Sequence, residues 1–352
     1  MRLGILGAGA IGEKHAEAAA AAGVQIARVV DQSADRAKEL ATAHNAQHSD
    51  QAGSLWDDAQ VDAVVIGVPN CFHKPLAAEA LRAGKHVLLE KPMALSAEEC
   101  DELIAIAKET GKLLQIGYTH RFTAVGQAAK RIADSGDLGE VYHAKAHLYI
   151  RRGIPGLGGW FTNKSMSGGG CLIDLGVHLI DLVSHLMSHP QPVAVSGKAY
   201  SKHGVKMRDY VYESMWAGPP KYDGVFDVED SAHAMVTYAS GATLDLQVTW
   251  AADLPTGALP DSLIGLFGDQ GGLTFELFGD HVRLAHQIAG RNADSKLALP
   301  AADQMALQMA DFAAATAEGR HGVGATPEQG RAVQAVVDAI YASSEKNQPI
   351  TL

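Results

Sequence analysis

Residues 1–12, MRLGILGAGAIG, run from a short apolar strand directly into three glycines spaced G-x-G-x-x-G. An alanine-rich stretch to Ala22 follows, and a second apolar run, VQIARVV, then ends at Asp31. Strand, turn, helix and strand in this order make a β-α-β unit, and its first turn gives each glycine a separate task. Gly7 permits the tight turn, Gly9 lets a pyrophosphate approach the backbone, and Gly12 lets helix and strand pack closely. The first helical residues, Ala10 and Ile11, turn N–H groups toward the phosphates. Asp31 lies nineteen residues after Gly12 at the end of the second strand. A carboxylate there accepts hydrogen bonds from a ribose 2′-hydroxyl and repels a 2′-phosphate, so NAD is favoured over NADP.

The alternation continues. A helix is expected from about Ser33 to His44, a strand at 61–68 (VDAVVIGV), a helix from about His73 to Ala83 and a strand at 86–90 (HVLLE). A helix from Ser96 to Thr110 and a strand at 113–118 (LLQIGY) complete the series. Continuous Val/Ile/Leu strands separated by helices indicate a parallel sheet covered on both faces, and right-handed crossovers make it doubly wound. Residues 1–120 are thus expected to form a nucleotide-binding domain, and 121–352 a second domain. In an open α/β sheet, ligands lie beyond the carboxyl ends of the strands. The turns VPN (68–70) and EKP (90–92) should therefore border the glycine loop, which brings Pro69, Asn70, Glu90 and Lys91 into the set of cofactor residues. Pro92 restricts Lys91, whose ammonium is suited to hold a substrate hydroxyl and share its proton. His73 either lines this crevice or makes a helix-end hydrogen bond. Tyr118, His120 and Arg121 follow a strand end, where they face substrate hydroxyls, or, for Arg121, a structural carboxylate.

At 352 residues the chain is long for one core and sufficient for two domains. A formal net charge of −11 and the absence of a Lys/Arg cluster argue against nucleic acid and anionic membranes as partners. No unbroken apolar run approaches the ~18 residues of a membrane span, and the N-terminus lacks the apolar core of a signal peptide, so a cytoplasmic location is expected. Cys71, Cys100 and Cys171 are too few and too scattered for a disulfide framework or a thiolate zinc site. His185 and His189 are four apart, but no third ligand is evident, so no metal is expected.

After Gly139 the rhythm changes. Residues 140–150, 230–238, 242–250 and 271–277 alternate as half-buried strands, and YASGAT at 238–243 is a hairpin signal. Strands joined without long helices indicate an antiparallel sheet. Thr326, Pro327 and Gln329 occupy the N-cap, N1 and N3 positions of a final helix, expected to pack back on the other elements. Residues 201–226 show no periodicity and are expected to form a long loop, a lid or an oligomer contact. Trp160, among glycines, either walls a nicotinamide pocket or packs.

The segment GGGCLIDLGVHLID (168–181) is mostly apolar yet carries Asp174, His178 and Asp181. A helix from Cys171 to Met187 sets these three on one face, opposite a stripe of Leu172, Leu175, Leu179, Leu182 and Leu186. That face is either solvated or a site. A histidine exchanges protons near neutral pH, and an aspartate one turn earlier raises its basicity and fixes its tautomer.

GAGAIG, Asp31, the run from Pro69 to Ala94 containing EKP, GYTHRF (117–122) and SGGGCLIDLGVHLID (167–181) resemble the glucose-fructose oxidoreductase / inositol dehydrogenase / rhizopine-catabolism (Gfo/Idh/MocA) family. The resemblance implies an N-terminal Rossmann domain and a C-terminal α/β domain with a large open, mostly antiparallel sheet, through which homodimers or homotetramers form. It also implies a catalytic Lys91, Asp174 and His178 and an NAD-dependent oxidation of a secondary hydroxyl in a sugar, anhydrosugar or inositol. On this reading Tyr118, His120, Arg121, Arg152 and Trp160 join the catalytic three in binding the sugar or polyol. Two alternatives within the resemblance are an NAD-retaining glycoside hydrolase and a non-catalytic dinucleotide or sugar sensor.

Overall fold

Short Val/Ile/Leu runs bounded by glycine and proline become the strands of a six-stranded parallel sheet in the computed structural model, which describes every residue except Trp216. The chain divides into two units, Met1–Phe122 with Asp303–Gln334, and Thr123–Ala302 with Ala335–Leu352. The first contains β1 (Arg2–Leu6), α1 (Ala10–Ala21), β2 (Gln25–Val30), α2 (Ala34–Ala43), β3 (Gln47–Ser49) and the single turn α3 (Gly53–Trp56). It continues with β4 (Ala63–Ile66), α4 (His73–Arg82), β5 (His86–Leu89), α5 (Ala97–Thr110) and β6 (Leu114–Ile116). Sheet order is β3-β2-β1-β4-β5-β6, so the order reverses between β1 and β4. Ligands of doubly wound sheets bind at this switch point, where the glycine loop leaves β1. Ser33 and Ser96 cap α2 and α5 with their side chains.

The second unit opens with α6 (Ala124–Ser135) and β7 (Val141–Tyr149), followed by the single turn α7 (Lys164–Ser167) and α8 (Val177–Leu186). The strands β8 (Pro192–Tyr200), β9 (Ser231–Tyr238), β10 (Thr243–Thr249), β11 (Ser262–Gly268), β12 (Gly272–Phe275), β13 (His281–Ile288) and β14 (Arg291–Ala298) follow. The chain ends with α9 (Gln304–Glu318), α10 (Pro327–Lys346) and β15 (Ile350–Thr351). The nine-stranded sheet is antiparallel except where β7 runs parallel to β10. Ala144, Ala146, Leu148, Leu244, Leu246 and Val248 form its buried face, which α8 covers.

Two expectations change, and a third gains detail. Residues 303–334, assigned by sequence to the second domain, group with the first unit. There Met309, Phe312 and Ala315 of α9 join Leu3, Ile5, Val29 and Ala16 in one core, because α9 offers α1 an apolar stripe of matching length. Second, residues 201–226 form the long irregular connection expected, with one 3₁₀ segment at Gly204–Asp209, and it is tied down along its length. Asp230 accepts the backbone N–H groups of Lys202, His203 and Gly204 at 2.6–2.9 Å. The far end is laced to the 152–162 segment by Glu213 N–H to Arg152 O (2.9 Å) and Lys221 N–H to Leu157 O (2.7 Å). Third, the helix expected from Cys171 to Met187 begins as a π-helix over Leu172–Gly176 and becomes α-helical only at Val177. No polar face is solvated, since Asp174 and Asp181 are buried and His178 is half-buried. An 18-residue window within Lys164–Leu186 is long and apolar enough to cross a membrane, yet 78% of it is buried inside the fold, as in a core helix.

Candidate active site

In the first unit, the glycine loop has the geometry that its spacing dictates. Gly7 has φ +103°, and a Cβ on Gly12 would stand 1.9 Å from Gly7 O, so neither position accepts a side chain. A Cβ on Gly9 would meet nothing within 4 Å. The cradle at the start of α1 is therefore open where a pyrophosphate has to approach, and its donors fit a dinucleotide. Asp31 Oδ2 accepts Ala8 N–H at 2.8 Å, and Oδ1 accepts Ser33 N–H and an Arg36 guanidinium N–H, both at 2.8 Å. Burial pushes this carboxyl up, but those donors outweigh it and hold the pKa below the usual value.

The EKP turn closes over a buried polar cluster. Glu90 turns its carboxylate inward to His15 Nε2 at 2.7 Å. Burial opposes its ionisation, but the His15 bond and the charges of Lys91 and His73 outweigh this and keep its pKa low. The Glu90 side chain orders α1 against β5, and its N–H bonds to Ile66 O at 3.0 Å. His73 Nδ1 lies 2.7 Å from Pro92 O and Nε2 lies 2.9 Å from Val68 O. Of the two readings of His73, the structure thus supports an inward hydrogen bond at the helix end, one that ties the VPN turn to the EKP turn. Asn70 and Tyr118 are buried nearby in the fold, and the Lys91–Pro92 peptide is cis.

His120 is buried, and burial and the Lys91 charge depress its pKa to about 4 against a hydrogen bond with Gln304. The unfolded value is about 6.5. Between these limits only the unfolded chain takes up the proton, so this contribution to stability is intact above pH ~6.5 and is lost as the pH falls through about 4. Urea midpoints of His120→Asn are accordingly expected to vary less with pH over this window than those of the wild type. A parallel pair of curves would refute the assignment. Arg121 has structural partners other than the carboxylate expected: Nη1 donates to Val323 O (3.1 Å) and to Gln329 Oε1 (2.9 Å). Gln329 is itself half of the capping box with Thr326 that starts α10.

The second unit carries Asp174 and His178 on adjoining turns where the π-helix gives way to α8. π-turns of this kind often occur at functional sites. Asp174 Oδ2 accepts a hydrogen bond from Trp250 Nε1 at 3.0 Å, and both residues are buried. Beneath the helix start, Glu229 Oε1 accepts Gly170 N–H and Leu172 N–H at 2.9 Å and the Tyr341 hydroxyl at 3.0 Å. The glycine tract follows from this packing. A Cβ on Gly169 would stand 1.9 Å from Tyr341 Oη, and one on Gly170 would stand 1.8 Å from Glu229 O. Trp250, Glu229 and Tyr341 were not singled out by sequence. The only signal was the closing Trp of the 242–250 strand, which has no local mark of its partner. Arg152 donates to Ala252 O (3.2 Å), pairs with Asp253 and lies over the Tyr210 ring, so its guanidinium is held by its own unit. Trp160 stacks on Phe161 with ring centroids 3.8 Å apart.

Residues 1–118 match the model of an oxidoreductase family with an NAD-binding Rossmann fold, and residues 127–284 match the GFO/IDH/MocA C-terminal domain. D-glucoside 3-dehydrogenase of Escherichia coli (strain K12) is 29% identical over 364 residues, spanning 100% of this chain and 97% of that protein. UDP-N-acetylglucosamine 3-dehydrogenase of Acidithiobacillus ferrooxidans is 34% identical over 195 residues, 55% of this chain and 56% of the relative. Levoglucosan dehydrogenase, solved with NADH and levoglucosan, shares the fold at a TM-score of 0.85 and 22% identity, over 100% of this chain and 99% of that one. GenD2 from gentamicin A biosynthesis, solved with NAD, aligns at a TM-score of 0.79 and 26% identity, over 100% and 96%.

Proposed function

The chain belongs to the GFO/IDH/MocA family of NAD-binding oxidoreductases, and we propose that it oxidises a secondary hydroxyl of a sugar, anhydrosugar or inositol to a ketone. One observation carries this reading: a dehydrogenase of D-glucosides aligns with the chain from end to end. The relatives with partial coverage that act on UDP-N-acetylglucosamine and inositol support the same substrate class.

NAD, when bound, supplies the hydride acceptor. Lys91 holds the hydroxyl oxygen and stabilises the negative charge that develops on it. His178 takes the hydroxyl proton, and Asp174 fixes the orientation of His178 while Trp250 Nε1 fixes Asp174. The glycine loop and Asp31 hold the dinucleotide. The decisive experiment follows absorbance at the NADH band with purified protein against inositols, hexoses, anhydrosugars and glycosides. A substrate that raises the band establishes the dehydrogenase. Glycoside cleavage with no net NADH would replace it with the NAD-retaining hydrolase, and dinucleotide binding with no turnover would replace it with the sensor.

A homodimer or homotetramer in the cytoplasm completes the proposal. Its support is the open face of the second sheet, where Met235 is exposed and Tyr149, Leu263 and Phe267 are half-exposed in a single chain. Sedimentation of the purified protein as a monomer would remove the oligomer.

A further inference from the structure

The ribose end of the nucleotide cradle contains a cation beside its acid. Asp31 has about four lone-pair sites. Ala8 N–H, Ser33 N–H and Arg36 occupy three of them, which leaves one on Oδ2. A carboxylate in this state offers an incoming ribose a single acceptor, and its charge is balanced by the guanidinium 2.8 Å away. It therefore lacks the bare negative field by which such an acid rejects a 2′-phosphate.

Arg36 stands in the first turn of α2, and its side chain is 53% exposed. One nitrogen engages Asp31, and the planar fork of this half-exposed side chain carries further N–H donors. The carboxylate half of this pair is buried, so the ion pair is kept, and the free side of the guanidinium can make charge-assisted hydrogen bonds to a phosphate as well. That further contact is gained when the ribose carries a phosphate. It is not gained when the ribose carries a hydroxyl, because the hydroxyl can use the free site on Oδ2.

We propose that Arg36 is the residue that sets coenzyme choice in this chain, bridging Asp31 and a 2′-phosphate, so that the protein accepts NADP(H) as well as NAD(H). Asp31 keeps the guanidinium and its two backbone donors and remains compensated.

The test is direct binding, independent of any substrate. Nicotinamide fluorescence titrations give dissociation constants for NADH and NADPH with the wild-type chain, Arg36→Ala and Arg36→Lys. Loss of a charge-assisted contact predicts that NADPH binds Arg36→Ala roughly 10- to 150-fold more weakly than it binds the wild type. NADH should change less than about threefold, since it gains nothing from the fork. Arg36→Lys, which keeps the charge without the fork, should fall between these. The inference stands if NADPH is weakened at least tenfold more than NADH by Arg36→Ala. It is overturned if the two constants move together, or if the wild-type chain binds NADH but shows no saturable NADPH binding. If NADH itself does not bind, the NAD-binding assignment fails with it.

Discussion

Lys91→Met is expected to turn over substrate about 10²- to 10⁴-fold more slowly than the wild type, the range for losing a positioned proton-sharing group. NADH affinity should stay within a factor of a few. Methionine preserves the length and much of the apolar stem of lysine, so the change removes the ammonium and little else. The dinucleotide cradle depends on the glycine loop and Asp31, which Lys91 does not hold up. The site also offers a check on folding that does not rely on activity. His120 is depressed to about 4 by burial first and by the Lys91 charge second. Removing that charge should raise the His120 titration in a proton NMR pH series, while burial keeps it below the free-histidine value. A turnover rate equal to wild type removes Lys91 from the mechanism. A rate loss accompanied by an equal loss of NADH affinity would make it a cofactor ligand instead.

The first turn could be read from sequence because its chemistry is local. Gly7 and Gly12 approach within the same loop, and strand, helix and acid all lie inside 31 residues. The Thr326–Gln329 box was legible for the same reason, since a cap lies within a few residues of the helix it starts. The 168–181 segment was legible in its residue types but not in its geometry. A pattern of period 3.6 cannot announce a π-turn, and it left a solvated polar face open as one reading where the fold buries nearly every side chain. The supporting residues were illegible because their partners are remote: Trp250 reaches Asp174 across 76 positions and Glu229 reaches Gly170 across 59. For Arg121 the sequence left a substrate and a structural reading open, because an arginine near a strand end has no local sign of which carbonyl will claim it. The grouping of 303–334 was hidden likewise: the stripe on α9 shows that it packs, not that it packs on α1.

Glu229→Ala is expected to destabilise the second unit by about 3–9 kcal/mol, because it strands three donors, two of them fully buried, at roughly 1–3 kcal/mol each. Those donors are Gly170 N–H, Leu172 N–H and the Tyr341 hydroxyl. The glycines cannot rearrange to compensate, since Gly169 and Gly170 already touch Tyr341 and the Glu229 backbone at distances that exclude a Cβ. Glu229→Gln separates two effects. Its amide oxygen can still accept from all three groups, which converge on Oε1, so most of the stability should remain. It also removes a titration. Burial raises the folded pKa of Glu229, with the backbone donors pulling against it. A carboxyl with a raised folded pKa favours the fold while protonated, and that contribution is lost as the pH rises from the unfolded value through the folded one. Urea midpoints of the wild type should thus lose this increment on going from acid toward neutral pH, and those of Glu229→Gln should not. Catalysis responds through position. Asp174 N–H bonds to Gly170 O at 3.0 Å, so a shift at the helix start is transmitted to the Asp174 carboxylate. A displacement near 1 Å can lower turnover about 10²-fold. Glu229→Ala should therefore lose both stability and rate, and Glu229→Gln should recover both. An alanine variant with wild-type urea midpoints would show that the helix start holds itself without the buried acid.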